Sequence, residues 1–301
     1  MTGARGLIGR YIVEGLIAAG WKVRILSRQI SEAAVDSPVS VILGDINDLS
    51  ALRELLEGAS AVFHCAAELH DESLMQTVNV KGTETLLSVA RASAAQYFCH
   101  LSSAGVVGPV SFSEVDEETP CHPNNLYEKT KFEAEQMVVH ADLHMNVCIL
   151  RPTNVFDAQN PGILMLPMHH SFMDRLSLLL KGNEGTHLVH AKDVASAALY
   201  FVDKTLQGPQ LFLVSCDDDQ KNSVAGMYKL IRSMCCGDEK FRTFSFPNNI
   251  PYLLRRFFRG KSLHGRVRFS EKKLRSTGFV FPLGFQEGLV DVCRARKRMK
   301  A

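Results

Sequence analysis

Two side chains in this chain are spaced for acid/base chemistry. Tyr127 and Lys131 stand at positions i and i+4, which on a helix share one face. An ammonium beside a phenol favours the phenolate, whose ordinary pKa is about 10, and so makes the tyrosine a usable proton carrier. Upstream, Ser103 closes an apolar run and offers a hydroxyl that can orient a reacting oxygen, with Ser102 as the alternative. A tyrosine–lysine pair alone is more often a solvated helix face, so its meaning rests on the segments around it.

The second constellation is Thr2-Gly3-Ala4-Arg5-Gly6-Leu7-Ile8-Gly9, followed at once by an amphipathic helical pattern. Glycines let a backbone turn tightly and approach a pyrophosphate, whose charge the helix N-terminus receives. A strand pattern ends at Leu26, about 20 residues on, where this arrangement places the group that reads the adenosine ribose. Ser27 and Arg28 stand there instead of an acid. An arginine accommodates a 2′-phosphate, and Arg5 adds a second cation, so NADP(H) is the preferred cofactor and NAD(H) the alternative.

These residues need a frame. Short apolar runs at 22–26, 39–43, 61–65, 97–101 and 147–150 alternate with helical patterns near 6–19, 49–57, 73–95 and 127–143. That alternation predicts a doubly wound parallel α/β Rossmann sheet. The expected division is a dinucleotide-binding domain over 1–155, rejoined by 187–215, with a small substrate lobe from 156–186 and 216–301. The lobe would close over the carboxyl edge of the sheet. With 301 residues, 46% hydrophobic and 22% charged, the chain has the composition of a soluble globular protein. A net charge of +2 calls for no nucleic-acid partner. Eight cysteines without Cys-x-x-Cys spacing predict no metal site. Cys65, Cys99 and Cys148 lie in apolar runs as expected reduced thiols. With no signal peptide or long apolar span, the expectation is a cytoplasmic protein without membrane contact. His64 and His100, inside strand patterns, are expected to be structural. His169 and His170 read as surface residues, and the basic run 294–300 as a solvated helix end.

Several ordered segments resemble the extended short-chain dehydrogenase/reductase family, also called the NAD-dependent epimerase/dehydratase family. They are the glycine loop, Gly44-Asp45-Ile46, His64-Cys65-Ala66-Ala67, Asn79-Val80-Lys81-Gly82-Thr83, Leu101-Ser102-Ser103, Tyr127-x-x-x-Lys131, Arg151-Pro152-Thr153-Asn154 and His190-Ala191-Lys192-Asp193. The resemblance implies an enzyme in which Tyr127 exchanges a proton with substrate while hydride moves at the nicotinamide. Lys131 would hold the phenolate and the ribose, and Ser103 would orient the reacting oxygen. It implies cofactor contacts from Thr2, Gly3, Arg5, Gly6, Leu7, Ile8, Gly9, Arg28, Asp45, Ile46, Ala66, Ala67, Asn79, Tyr127, Lys131, Pro152 and Thr153. Substrate contacts would come from Ser103, Asn154, Arg266 and Arg268. Residues 268–282 look like the end of nucleotide-sugar-modifying members. The implied reaction is therefore 4-epimerisation or 4-keto reduction of a nucleotide sugar, in a homodimer. Val107 stands where many such members carry tyrosine, and Lys192 replaces an acid. These departures keep open a reductase of steroid-like or flavonoid-like carbonyls. A dinucleotide-binding sensor or scaffold without turnover is the non-enzymatic alternative.

Such a glycine loop ordinarily follows a buried central strand, yet Met1 directly precedes Thr2. Five buried apolar side chains at about 1.5–3 kcal/mol each correspond to on the order of 8–15 kcal/mol, the stability of a whole domain. The expectation is that the first strand is missing and that the native start lies upstream; otherwise another segment fills the slot or the product is unstable.

Overall fold

A computed structural model describes residues 1–29, 38–110, 112–164, 178–238 and 266–300, with side chains to 297. The expected His169 and His170 lie outside the described residues. By contact the chain divides into one unit of 1–108, 120–152 and 194–212, and a second of 109–119, 153–193 and 213–301.

In the first unit the predicted alternation is realised. The strands β1 (Val23–Ser27) and β2 (Val39–Leu43) pair in parallel. A four-stranded sheet runs in the order β3 (Ala61–His64), β4 (Tyr97–Leu101), β6 (Asn146–Pro152), β9 (Gln210–Val214), with β3, β4 and β6 parallel. Helices cover both faces. On one, Leu52, Leu55 and Leu56 of α2 (Leu49–Leu56), Leu86 and Ala90 of α4 (Gly82–Ala90) and Val138 of α5 (Leu126–Val139) pack against Ile42, Val62, Phe98 and Ile149. On the other, the Tyr97 hydroxyl donates to Ala198 O of α6 (Ala191–Tyr200) at 2.7 Å. There too, Gly15 of α1 (Gly9–Ala18) meets Leu199, where an added Cβ would come within 2.4 Å. This is the doubly wound parallel arrangement of a Rossmann fold.

Among the described residues no strand stands before the glycine loop. Met1 and Thr2 alone run between β1 and β3: Leu26 N donates to Met1 O (3.0 Å), Thr2 N to Phe63 O (3.0 Å) and Cys65 N to Thr2 O (3.3 Å). These bonds join the two sheets at the strand ends where the glycine loop begins.

Local sequence sets the helix starts. Asp48 caps α2 by accepting from Ser50 N and Ala51 N. Asn125 and Glu128 form a reciprocal capping box at the start of α5. The expected helix at 73–95 is instead α3 (Glu72–Met75), a π-helical turn at Gln76–Lys81 and α4. The widened turn brings Asn79 into the buried interior, at 2% exposure.

In the second unit, β5 (Glu114–Val115) pairs with β10 (Arg268–Phe269), and β7 (Asn154–Phe156) with β8 (Leu188–His190). Past the short α8 (Lys272–Ser276), the carboxylate of Asp193 accepts from Leu283 N and Gly284 N at the start of α9 (Gly284–Lys300). A disulfide joins Cys235 of α7 (Val224–Cys236) to Cys293 of α9. Sequence spacing revealed no such pair, because 58 residues separate the partners and only folding brings them together; Cys65, Cys99 and Cys148 are free thiols. Among the described residues no helix is long and apolar enough to cross a membrane.

Candidate active site

The glycine loop closes on itself. Gly6 N donates to Gly3 O at 3.0 Å, and Gly3 adopts φ +67°, a left-handed conformation that suits glycine. A Cβ on Gly3 would sit 2.5 Å from Ala66 N, and one on Gly9 2.1 Å from Gly3 O. The backbone therefore passes where side chains cannot, and α1 starts without a side-chain cap at Ile8. Inside the turn Arg10 N donates to Gly6 O (3.2 Å) and Tyr11 N to Ile8 O (3.0 Å); the close glycine backbone leading into a helix N-terminus is the chemistry that fits a dinucleotide pyrophosphate. Arg5 and Arg28 are both exposed, and Arg5 Nη2 donates to Gln29 O at 3.4 Å, beside Arg28 in sequence. Asp45 Oδ1 accepts from Asn47 N, while Ile46 is buried beneath Gly82.

A chain of buried hydrogen bonds runs from this loop to the tyrosine helix. Thr83 Oγ1 donates to Asn79 O (2.6 Å), so it accepts from His64 Nε2 (2.8 Å). His64 Nδ1 then accepts from Thr2 Oγ1 (2.8 Å), which itself accepts from Ala66 N (3.3 Å). Asn79 Nδ2 donates to Glu68 O and to Thr130 Oγ1, both at 3.0 Å, and Asn79 Oδ1 accepts from Glu68 N (2.7 Å). Thr130 Oγ1 in turn donates to Tyr127 O at 3.0 Å. His64 is thereby fixed as a neutral tautomer, and burial, with the Lys131 charge adding, pushes its pKa down to about 3. Asn79, expected to touch cofactor, has its amide wholly engaged by the protein.

The structure brings Ser103, Tyr127 and Lys131 together at the carboxyl end of β4. Ser103 Oγ accepts from Gly105 N at 3.1 Å and caps the 3₁₀ turn Ala104–Val107. Its hydroxyl also lies close enough to the Tyr127 phenol to favour the phenolate. Lys131, 3% exposed, donates from Nζ to Leu101 O. Burial lowers its pKa to about 8, against the opposing pull of Cys65 and Glu135. Here the sequence expectation needs correcting. The Tyr127 phenol is pushed up, chiefly by burial and further by Glu128, with only the Ser103 hydroxyl opposing. The lysine lies on the predicted face, but its ammonium is turned to the strand carbonyl, and desolvation governs the phenol. Ser102 does not join the set; its hydroxyl donates to Glu135 Oε2 at 2.7 Å.

Pro152 is buried at the end of β6. The other expected contacts fall in the second unit. Thr153 N donates to Val214 O, and Asn154 Nδ2 to Thr186 O. Arg268, expected to hold a diphosphate, is paired with Asp218 (2.9 Å) and Glu114 (3.3 Å); Arg266 is half-buried. Sequence reasoning missed the buried pair Arg151–Glu135, which holds Ser102. The available signal was that Glu135 continues the stripe of Tyr127 and Lys131 by one more helical turn.

Residues 1–214 match the profile of the NAD dependent epimerase/dehydratase family. The chain belongs to this family. Membership places it among enzymes. It is 30% identical to sterol demethylase protein B of Methylococcus capsulatus over 69% of this chain and 66% of that one. It is 25% identical to the N-acetyl-α-D-glucosaminyl-diphospho-ditrans,octacis-undecaprenol 4-epimerase of Escherichia coli O157:H7, over 96% of this chain and 92% of the other. Several curated relatives are longer, and the chain spans about half to two thirds of their length. Among solved structures it resembles the UDP-glucose 4-epimerase of Thermotoga maritima with UDP-glucose, at TM-score 0.75 and 18% identity, covering 100% of this chain and 98% of the other. That likeness is one of fold.

Proposed function

We propose that the chain transfers hydride between a nicotinamide dinucleotide and a ring carbon of a nucleotide sugar, as a 4-epimerase or 4-keto reductase. The observation that carries this reading is the meeting of Ser103, Tyr127 and Lys131 in one place. Bound dinucleotide would supply the hydride acceptor or donor. Gly3, Gly6, Gly9 and the start of α1 would hold its pyrophosphate. Ser103 would hold the reacting oxygen against Tyr127, and Tyr127 would deliver or take its proton. A protonated phenol is the form that delivers a proton, as the reductive direction requires. The exposed Arg5 and Arg28 favour NADPH in that role. Support for a sugar comes from the 4-epimerase relative, alike over nearly the whole chain, including what lies beyond the family profile at residue 214.

A steroid-like carbonyl is the second reading, favoured by the higher identity to the sterol relative. A thermal-shift panel of NADH, NADPH, UDP- and dTDP-sugars and a 3-ketosteroid separates the two, because the true ligand raises Tm. Tyr127→Phe should lower turnover by about 10²–10⁴-fold with cofactor binding retained. Unchanged turnover would remove Tyr127 from the reaction. For the homodimer we favour the outer face of α5, where Pro123, Phe132, Met137 and His140 line an open groove. Sedimentation of Phe132→Glu as a dimer would reject that face.

A further inference from the structure

Helix α5 presents Tyr127, Lys131 and Glu135 on successive turns, and Glu135 is the most deeply buried of the three. It is 0% exposed and engages both oxygens. Oε2 accepts from Ser102 Oγ (2.7 Å) and Arg151 Nε (2.8 Å), and Oε1 accepts from Arg151 Nη2 (2.6 Å). Three segments of the candidate site thus meet at one carboxylate: the end of β4 just before Ser103, the helix bearing Tyr127 and Lys131, and the end of β6 at Arg151. Ser102 N also donates to Leu150 O (2.8 Å), which fastens β4 to β6 at the same level. A buried ion pair is a weak source of stability, because desolvating two charges offsets most of their attraction. Its forked geometry does fix positions.

The same carboxylate bears on Lys131. The titratable groups facing that ammonium are His64 of β3, Cys65 just after it, His100 of β4 and Glu135 of its own helix. Burial keeps both histidines neutral and pushes the Cys65 thiol up, so it stays protonated. Of the two groups that favour the charged lysine, Cys65 is held as a thiol, and Glu135, one turn along the same helix, is the carboxylate ion-paired with Arg151 at 2.6 Å.

We propose that Glu135 is a positioning residue of the reaction: it locks the Ser103 strand end and Arg151 to the tyrosine helix, and it supplies the negative charge that keeps Lys131 an ammonium. The proposal rests on the hydride-transfer reading above, and its test separates the two. In protein labelled with [ε-¹³C]lysine, with Lys131 assigned through Lys131→Met, NMR follows the Lys131 titration directly. Wild type should titrate near pH 8. Glu135→Gln should move the midpoint down by about one unit, while Ser102→Ala should leave it in place. In turnover, Ser102→Ala should lower kcat about tenfold with KM for the cofactor unchanged, as expected when a strand end loses its tether.

An unmoved Lys131 titration in folded Glu135→Gln overturns the electrostatic role. Wild-type kcat in both variants overturns the positioning role. Should Glu135→Gln fail to fold, the double variant Glu135→Gln, Arg151→Met leaves no buried charge unpaired and should still move the Lys131 midpoint down, by less than the single variant because the Arg151 cation leaves with the carboxylate. A wild type without turnover but with the expected NMR shift would sink the reaction reading and leave the Glu135–Lys131 coupling standing.

Discussion

His100 offers the sharpest test of how this core is built. It lies on β4, fully buried, with its ring 5.1 Å from that of His64, and neither ring nitrogen has a hydrogen-bond partner. Leaving a buried polar group unpaired costs about 1–3 kcal/mol. Replacing the ring by an apolar side chain of similar volume should therefore raise stability. For His100→Leu we expect a gain of about 1–3 kcal/mol at pH 7. The gain should grow on acidification. Burial, with Lys131 and His64 adding, holds the His100 pKa well below its ordinary 6.5. The unfolded chain thus binds a proton below pH 6.5 that the folded chain does not. Stability present above that pH is lost as pH falls, at about 1.4 kcal/mol per unit. The variant is spared this loss, so at pH 4.5 its advantage should be larger by roughly 2.7 kcal/mol. Urea unfolding at several pH values, read as midpoints with a common slope, gives the difference. Asp193 and Glu271, whose carboxyls are raised to about 6 and about 7 mainly by burial, act in the opposite direction on absolute stability. They cancel in the comparison of wild type with variant. Parallel pH curves, or a His100→Leu protein less stable at pH 7 by more than about 1 kcal/mol, would refute the reasoning.

Gly9→Ala should abolish dinucleotide binding, because its Cβ would fall 2.1 Å from the Gly3 carbonyl oxygen and force the loop open; isothermal titration checks this. Arg151→Met should destabilise by about 3–5 kcal/mol by leaving Glu135 buried and unpaired. Adding Glu135→Gln should restore much of that loss in chemical unfolding.

Much of the first unit was legible because its signals are local. Period-two and period-3.6 patterns marked the strands and helices, and the glycines marked a turn that at Gly3 and Gly9 has no room for a Cβ. The π-helical turn at Gln76–Lys81 was not legible. It exists because Asn79 finds Glu68 and Thr130 in space, and no period in the sequence encodes such partners. The Cys235–Cys293 bond escaped for the same reason.

The sequence by itself determined which residues could do chemistry and their order along a Rossmann framework: the i, i+4 pair Tyr127 and Lys131, the serine at a strand end and the glycine loop. Only the tertiary structure decided their charge states and orientations. It turned Lys131 to Leu101 O, raised the Tyr127 phenol by burial, set Ser103 beside Tyr127 and Ser102 on Glu135, and set Glu135 against Arg151. Residue types and spacings are carried by the chain itself. Desolvation and ion pairing depend on which distant segments exclude water together, and packing alone supplies that.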